Sequence, residues 1–183
     1  MAKQFPRIEA AHRAFIEKQH IFFTGSAAPA GRVNVSPKGM DAFRVLGPNQ
    51  VVYLDLTGSG NETSAHVEAC DDHRLTIMFC AFESQPMILR LYGCGTIHRR
   101  GTKAYEALLP HFTEMTGARQ IVQLDVDLVQ TSCGYGVPFF DYREERPNLV
   151  RWAVNKGEGG LADYRRENNV TSIDGLRTGW PAA

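Results

Sequence analysis

The residues best suited to chemistry lie between Arg32 and Thr63. A segment with alternating polar side chains, Arg32-Val33-Asn34-Val35-Ser36-Pro37-Lys38-Gly39, comes first. An apolar run, Val51-Val52-Tyr53-Leu54-Asp55-Leu56, follows and opens into Thr57-Gly58-Ser59-Gly60-Asn61-Glu62-Thr63-Ser64. In an extended strand alternate side chains share a face, which sets Arg32, Asn34 and Ser36 on one side and Val33 and Val35 on the other. The valine pair reads as core, so a cation, an amide and a hydroxyl are left aimed at a polar partner. A glycine-rich turn leading into a helix start offers free amide N–H groups and the positive end of a dipole, which suit an anion. Together these features point to a phosphate-bearing small molecule lying across a sheet. As ordinary structure, the same residues would be solvated cations on an edge strand and a capped turn.

No other group of side chains competes with this one. His66, His73 and His98 are isolated in sequence, and the cysteines at 70, 80, 94 and 133 form no Cys-x-x-Cys pair. The cysteines read as buried, reduced thiols, and no zinc site or other metal centre is expected.

The elements that must position these residues can be read from pattern. Pro6 to Gln19 is amphipathic, with Ile8, Ala11, His12 and Phe15 on one stripe of a helix. Short strands follow over Ile21 to Gly25, Arg32 to Ser36, Phe43 to Leu46 and Val51 to Leu56, with a hairpin signal at Gly47-Pro48-Asn49-Gln50. Asn61 to Ala69 reads as a helix with Asn61 or Thr63 able to cap it. Arg74 to Phe82 and Met87 to Ile97 are the strongest strands, Thr102 to Leu109 is helical, and Ile121 to Val129 alternates as a half-exposed strand. Two further helical stretches begin at Leu149 and Leu161, and Trp180 falls in a tail expected to be mobile. The fold class is mainly β (α+β), an antiparallel barrel with peripheral helices, in a single domain over 1–183 with a helical extension over about 146–183.

Composition narrows the partners. Lys plus Arg and Asp plus Glu number 20 each in a chain of 183 residues. The balanced charge offers no field to hold a polyanion, which argues against nucleic acid and anionic membrane surfaces. No stretch approaches the ~20 apolar residues of a membrane span. With no apolar leader after Met1, the expected location is cytoplasmic.

The runs Val33-Asn34-Val35-Ser36-Pro37-Lys38-Gly39, Tyr53 to Ser64, Met78 to Glu83 and Arg90 to Gly95 together resemble the pyridoxamine 5′-phosphate oxidase-related family of flavin-binding split barrels. Cys133 to Phe140 and Ser172 to Leu176 extend the resemblance, which covers about Phe5 to Leu176. The resemblance implies a six-stranded antiparallel split β-barrel that forms a homodimer, with FMN at the subunit interface. It implies cofactor contacts from Arg32, Val33, Asn34, Val35, Ser36 and Lys38 on one strand. It implies others from Tyr53, Asp55, Ser59, Gly60, Asn61, Glu62 and Thr63 on the second, and from Arg90 on a third. The expected function is an FMN-dependent oxidoreductase acting on a small molecule, or alternatively a flavin-binding sensor, carrier or storage protein without turnover. Asn61-Glu62 stands where the true oxidases carry adjacent basic residues. The ending Gly175 to Pro181 also lacks the likeness to their substrate-gripping terminus. Both departures argue against pyridoxamine phosphate itself as substrate.

Overall fold

A computed structural model describes residues 2–83 and 85–181. The elements run β1 (Lys3–Phe5), α1 (Ala10–Ile16), β2 (Phe22–Ser26), β3 (Asn34–Lys38), β4 (Phe43–Gly47) and β5 (Gln50–Leu56). They continue α2 (Glu62–Ala69), β6 (Arg74–Cys80), β7 (Ile88–Arg99), α3 (Lys103–Leu108), β8 (Ala118–Ser132) and α4 (Asn148–Asn168). The strands form one antiparallel sheet in the order β3-β2-β6-β7-β8-β5-β4, with β1 also pairing β8. β8 pairs β7 along nearly its whole length, while its other edge is divided, β5 taking the first half and β1 the last few residues. This is the split barrel expected, with eight strands rather than six: the seven legible from pattern, and a three-residue β1 too short to announce itself.

The barrel interior is closed by aromatic and aliphatic side chains. Phe22, Phe43 and Phe79 contact one another edge-on or tilted, with Phe22–Phe43 and Phe43–Phe79 centroids 5.0 Å apart. Ile77, Leu89, Leu91 and Leu124 complete this cluster. β5 is buried on both faces, because Val52 and Leu54 pack under α3 while Val51 and Tyr53 point into the barrel. That two-sided burial explains its unbroken apolar run. At the Tyr92–Gly93 bulge of β7 a Cβ on Gly93 would lie 1.9 Å from the Asp125 carbonyl oxygen, so only glycine lets β7 and β8 approach there.

Several expectations are corrected. Val33 and Val35 are not core: they are 72% and 65% exposed. Register shows why. Asn34, Ser36 and Lys38 pair with the inward-facing Ser26, Thr24 and Phe22, so the polar trio faces the barrel side and the valines face out. Ala11 is exposed, with Ile16 taking its place on the α1 stripe beside Ile8 and His12. Cys94 and Cys133 are exposed, and only Cys70 and Cys80 are buried thiols. α4 covers both C-terminal helical stretches, with a break at Gly157, whose φ is 65°. The tail is anchored rather than loose: Thr178 is buried, and Trp180 lies over the Arg165 guanidinium. Among the described residues no helix is long and apolar enough to cross a membrane.

Candidate functional site

Asp55 follows Tyr53 on the inward face of β5, near the strand's end, where the sheet gives way to the turn before α2. Its carboxylate is buried and holds two cations. Lys38 Nζ from β3 donates to Oδ1 at 2.6 Å, and Arg119 Nε from β8 donates to Oδ2 at 2.8 Å. Gln120 Nε2 adds a bond to Oδ2 at 3.0 Å and a second to Asn61 Oδ1 at 2.8 Å. Burial alone would raise the Asp55 pKa. The two cations and their hydrogen bonds outweigh it and leave the carboxyl at about 2. The group is permanently ionised near neutral pH, and its role is to fix Lys38 and Arg119.

Two cations sharing one carboxylate leave a net charge of +1 at the floor of a cavity of about 300 Å³. Of the residues expected from sequence, Asn34, Ser36, Lys38, Asp55, Ser59, Gly60, Asn61, Glu62 and Thr63 line it. Asn34 Nδ2 points to Thr63 Oγ1 at 3.3 Å, and Ser36 Oγ donates to Asn34 Oδ1 at 3.1 Å, so β3 and the start of α2 meet as one wall. The first turn of α2 has amide groups without acceptors inside the helix, as at any helix start. Glu62 lines both this cavity and a neighbouring one, and its carboxylate accepts the Ile173 N–H at 3.1 Å.

Five side-chain polar atoms among the described residues are sealed from solvent without a partner, and four of them belong to Tyr53, Asn61, His66 and Gln120. All four residues cluster at this end of the barrel. Tyr53 lies beneath Lys38, whose Nζ is 5.8 Å from the ring centroid, and burial pushes its hydroxyl pKa well up. His66 Nδ1 bonds Ser26 Oγ at 3.1 Å, leaving Nε2 free. Of these four residues Asn61 lines the cavity and His66 the neighbouring one, while Tyr53 and Gln120 lie behind the wall.

Four expected residues stand elsewhere. Arg32 precedes β3 and is bound to Asp174 through its backbone N–H (2.7 Å) and its guanidinium; it lines a neighbouring cavity of about 550 Å³ with His66 and Ser172. Val33 and Val35 face outward. Arg90 alternates with the interior residues Leu89 and Leu91, so it too lies on the outer face, 3.3 Å from Ser132 Oγ. Three contributors escaped the sequence reading. Arg119 and Gln120 precede the alternating run that marks β8, and their polarity hid the true strand start. Asn169 lies about fifty residues further on, accepting from Arg119 Nη1 at 2.7 Å and donating to the Gly58 carbonyl at 3.0 Å.

The class of protein is defined by the antiparallel split barrel and by kinship in sequence. Residues 8–133 match the pyridoxamine 5′-phosphate oxidase family, and the chain belongs to it. It is 37% identical over 179 residues to the pyridoxamine 5′-phosphate oxidase family protein ustO of Aspergillus flavus, covering 87% of this chain and 70% of that one. Among solved structures, a variant of HupZ from Group A Streptococcus superposes with a TM-score of 0.53 at 16% identity, over 68% of this chain and 99% of that one. A Lactobacillus delbrueckii protein provisionally described as a pyridoxamine 5′-phosphate oxidase gives 0.53 at 19% identity, over 68% and 94%. At such identities the two structures speak to the fold alone.

Proposed function

We propose that the protein is a homodimeric FMN-dependent oxidoreductase that seats the ribityl phosphate in the cradle between β3 and α2. The observation that carries this reading is the Lys38–Asp55–Arg119 triad beneath the unpartnered amide nitrogen of Asn61. One ammonium donor of Lys38 is used by Asp55, which leaves two for a phosphate oxygen. Arg119 uses Nε and Nη1 on Asp55 and Asn169, and its Nη2 has no acceptor among the described residues. Asn61 Nδ2, Ser59 and the first-turn amides of α2 complete a donor set of the right polarity. When bound, the flavin supplies hydride or electron transfer, and the protein holds and orients it. Asp55, clamped in its ionised form, is not a proton donor in this scheme, and the chemistry assigns no obligatory acid or base to the chain.

The subunit partner is inferred from the outer face. Val33 and Val35 stand exposed beside Phe23, Met78, Tyr92 and Leu128, an apolar strip across β3, β2, β6, β7 and β8 that a second copy would cover. Arg90, on this face, then serves the cofactor only across the interface.

The test is a visible absorption spectrum of native protein, followed by FMN titration of wild type and of Lys38→Ala combined with Arg119→Ala. Each charge-assisted contact is worth ~1.5–3 kcal/mol, so the double variant should bind FMN more than about a hundredfold more weakly. An unchanged dissociation constant places the phosphate elsewhere. FMN that binds but is neither reduced by a nicotinamide donor nor reoxidised would make the protein a flavin carrier.

A further inference from the structure

A second cavity, of about 1160 Å³, meets the cradle at Pro37 and Lys38, which line both. We propose that it binds a planar aromatic cation that carries no phosphate. As the reaction's substrate site it rests on the flavin reading; as a binding site it stands independently of it.

The first support is a rigid aromatic shelf. The rings of His20 and Tyr142, both lining the cavity, are stacked with centroids 3.6 Å apart and planes 8° from parallel. His20 follows α1, whereas Tyr142 lies in the long connection between β8 and α4, so the stack ties two distant segments together. The Tyr142 N–H donates to Glu83 Oε1 at 2.5 Å, and two residues earlier Phe140 N–H donates to the Phe82 carbonyl at 3.0 Å. Those bonds pin the connection before any ligand arrives, and a preset ring surface loses little entropy when a flat molecule stacks on it.

The second support is charge. Glu83 and Glu145 flank the shelf, one at the Tyr142 backbone and the other beside its hydroxyl. Neither has a cation within ion-pair distance among the described residues. Of the four cations lining the cavity, Lys38 is bound to Asp55 and Arg143 to Glu144, which leaves Lys18 and Arg146 against Glu83, Asp141 and Glu145. Gly39 keeps the neighbourhood open, since a side chain there would meet the His20 carbonyl at 3.2 Å and Glu145 Oε2 at 3.7 Å. A positively charged ring gains from both the aromatic face and the flanking carboxylates, whereas a phosphate would meet like charge.

The experiment is isothermal titration of FMN-loaded and cofactor-free protein with N-methylquinolinium and with quinaldate, a flat anion on the same ring system. The cation should bind about tenfold tighter than the anion, and Tyr142→Ala should weaken it by about tenfold. Glu145→Gln should weaken it about threefold, and both variants should keep the wild-type FMN affinity. Quinaldate binding as tightly as the cation, or cation binding indifferent to Tyr142→Ala, overturns the proposal. Protein that binds FMN but not the cation loses this site alone. Protein that binds the cation through Tyr142 but never FMN keeps the site and loses the flavin reading.

Discussion

Asp55 on β5 and Arg119 on β8 face each other across paired strands with 2.8 Å between Oδ2 and Nε, and each residue is only 3% exposed. A buried pair of this kind contributes little over an apolar substitute but costs heavily when half of it is removed. Its consequence for stability is a dependence on pH. The folded Asp55 pKa is about 2 against an ordinary 3.8, so the unfolded chain takes up the proton first as pH falls. The contribution, ~2 kcal/mol, is complete above the ordinary value and is lost between about pH 4 and pH 2. Asp55→Asn should flatten this acid limb in urea unfolding. It should also lower stability at neutral pH by about 3–5 kcal/mol, because Arg119 is left buried without its counter-ion. An acid limb unchanged in the variant would show that other carboxylates produce it.

Asn61→Asp tests the cradle with almost no change in shape. The amide nitrogen that has no partner becomes a carboxylate oxygen, while the oxygen accepting from Gln120 is kept. The Asn61 side chain makes no capping bond to the α2 amides, so no cap is lost in the exchange. A second carboxylate near Asp55 cancels the surplus positive charge, so FMN affinity should fall by about a hundredfold while the protein stays folded. Thermal shift with and without FMN reads both effects: the variant should melt cooperatively and ignore the added flavin.

Most of the barrel was legible because its strands alternate or run apolar. Val51 to Leu56 and Arg74 to Cys80 declare themselves by composition alone. The polar face of β3 was legible in part: period two sets Arg32, Asn34 and Ser36 together, but Arg32 falls before the strand and Lys38 is the cation that joins Asn34 and Ser36. Which side of the sheet they face was not. The rule that valines point to the core failed because this end of the barrel is lined by Thr24, Ser26 and His66, and because β3 is an edge strand whose other face is open. Arg119 and Asn169 were out of reach for a different reason. They join the cradle through long-range pairing of β8 with β5 and through the docking of α4, neither of which leaves a local pattern.

The inverted β3 has its own consequence. Val35 on β3 and Val33 just before it are exposed, and the neighbouring strands also present half-buried apolar side chains. If a second copy covers them, Val35→Glu should convert the dimer to monomer in sedimentation velocity, since a carboxylate at the centre of an apolar contact is left unpaired. Monomer stability should change by less than about 0.5 kcal/mol, because the site is solvent-facing in the isolated chain. Wild-type protein that sediments as a monomer would remove the partner from the cofactor site.

Asn169 links the tail to the cradle and can be tested without touching a charge. Its Oδ1 accepts from Arg119 Nη1 and its Nδ2 donates to the Gly58 carbonyl, so one amide holds both a cradle cation and the glycine turn. Thr178 Oγ1, from the tail, donates to the Asn169 carbonyl at 2.5 Å and fixes its backbone. Asn169→Ala removes both side-chain bonds and leaves Arg119 Nη1 buried without that acceptor, a loss of about 1–3 kcal/mol in urea unfolding. FMN affinity should fall roughly tenfold because Arg119 is freed to turn about its remaining bond to Asp55. Thr178→Val acts one step further out: it should lower stability by about 1 kcal/mol, with only a small effect on FMN. If Asn169→Ala weakened FMN no more than Thr178→Val does, Arg119 would be held by Asp55 alone, and the tail would have no part in shaping the cradle.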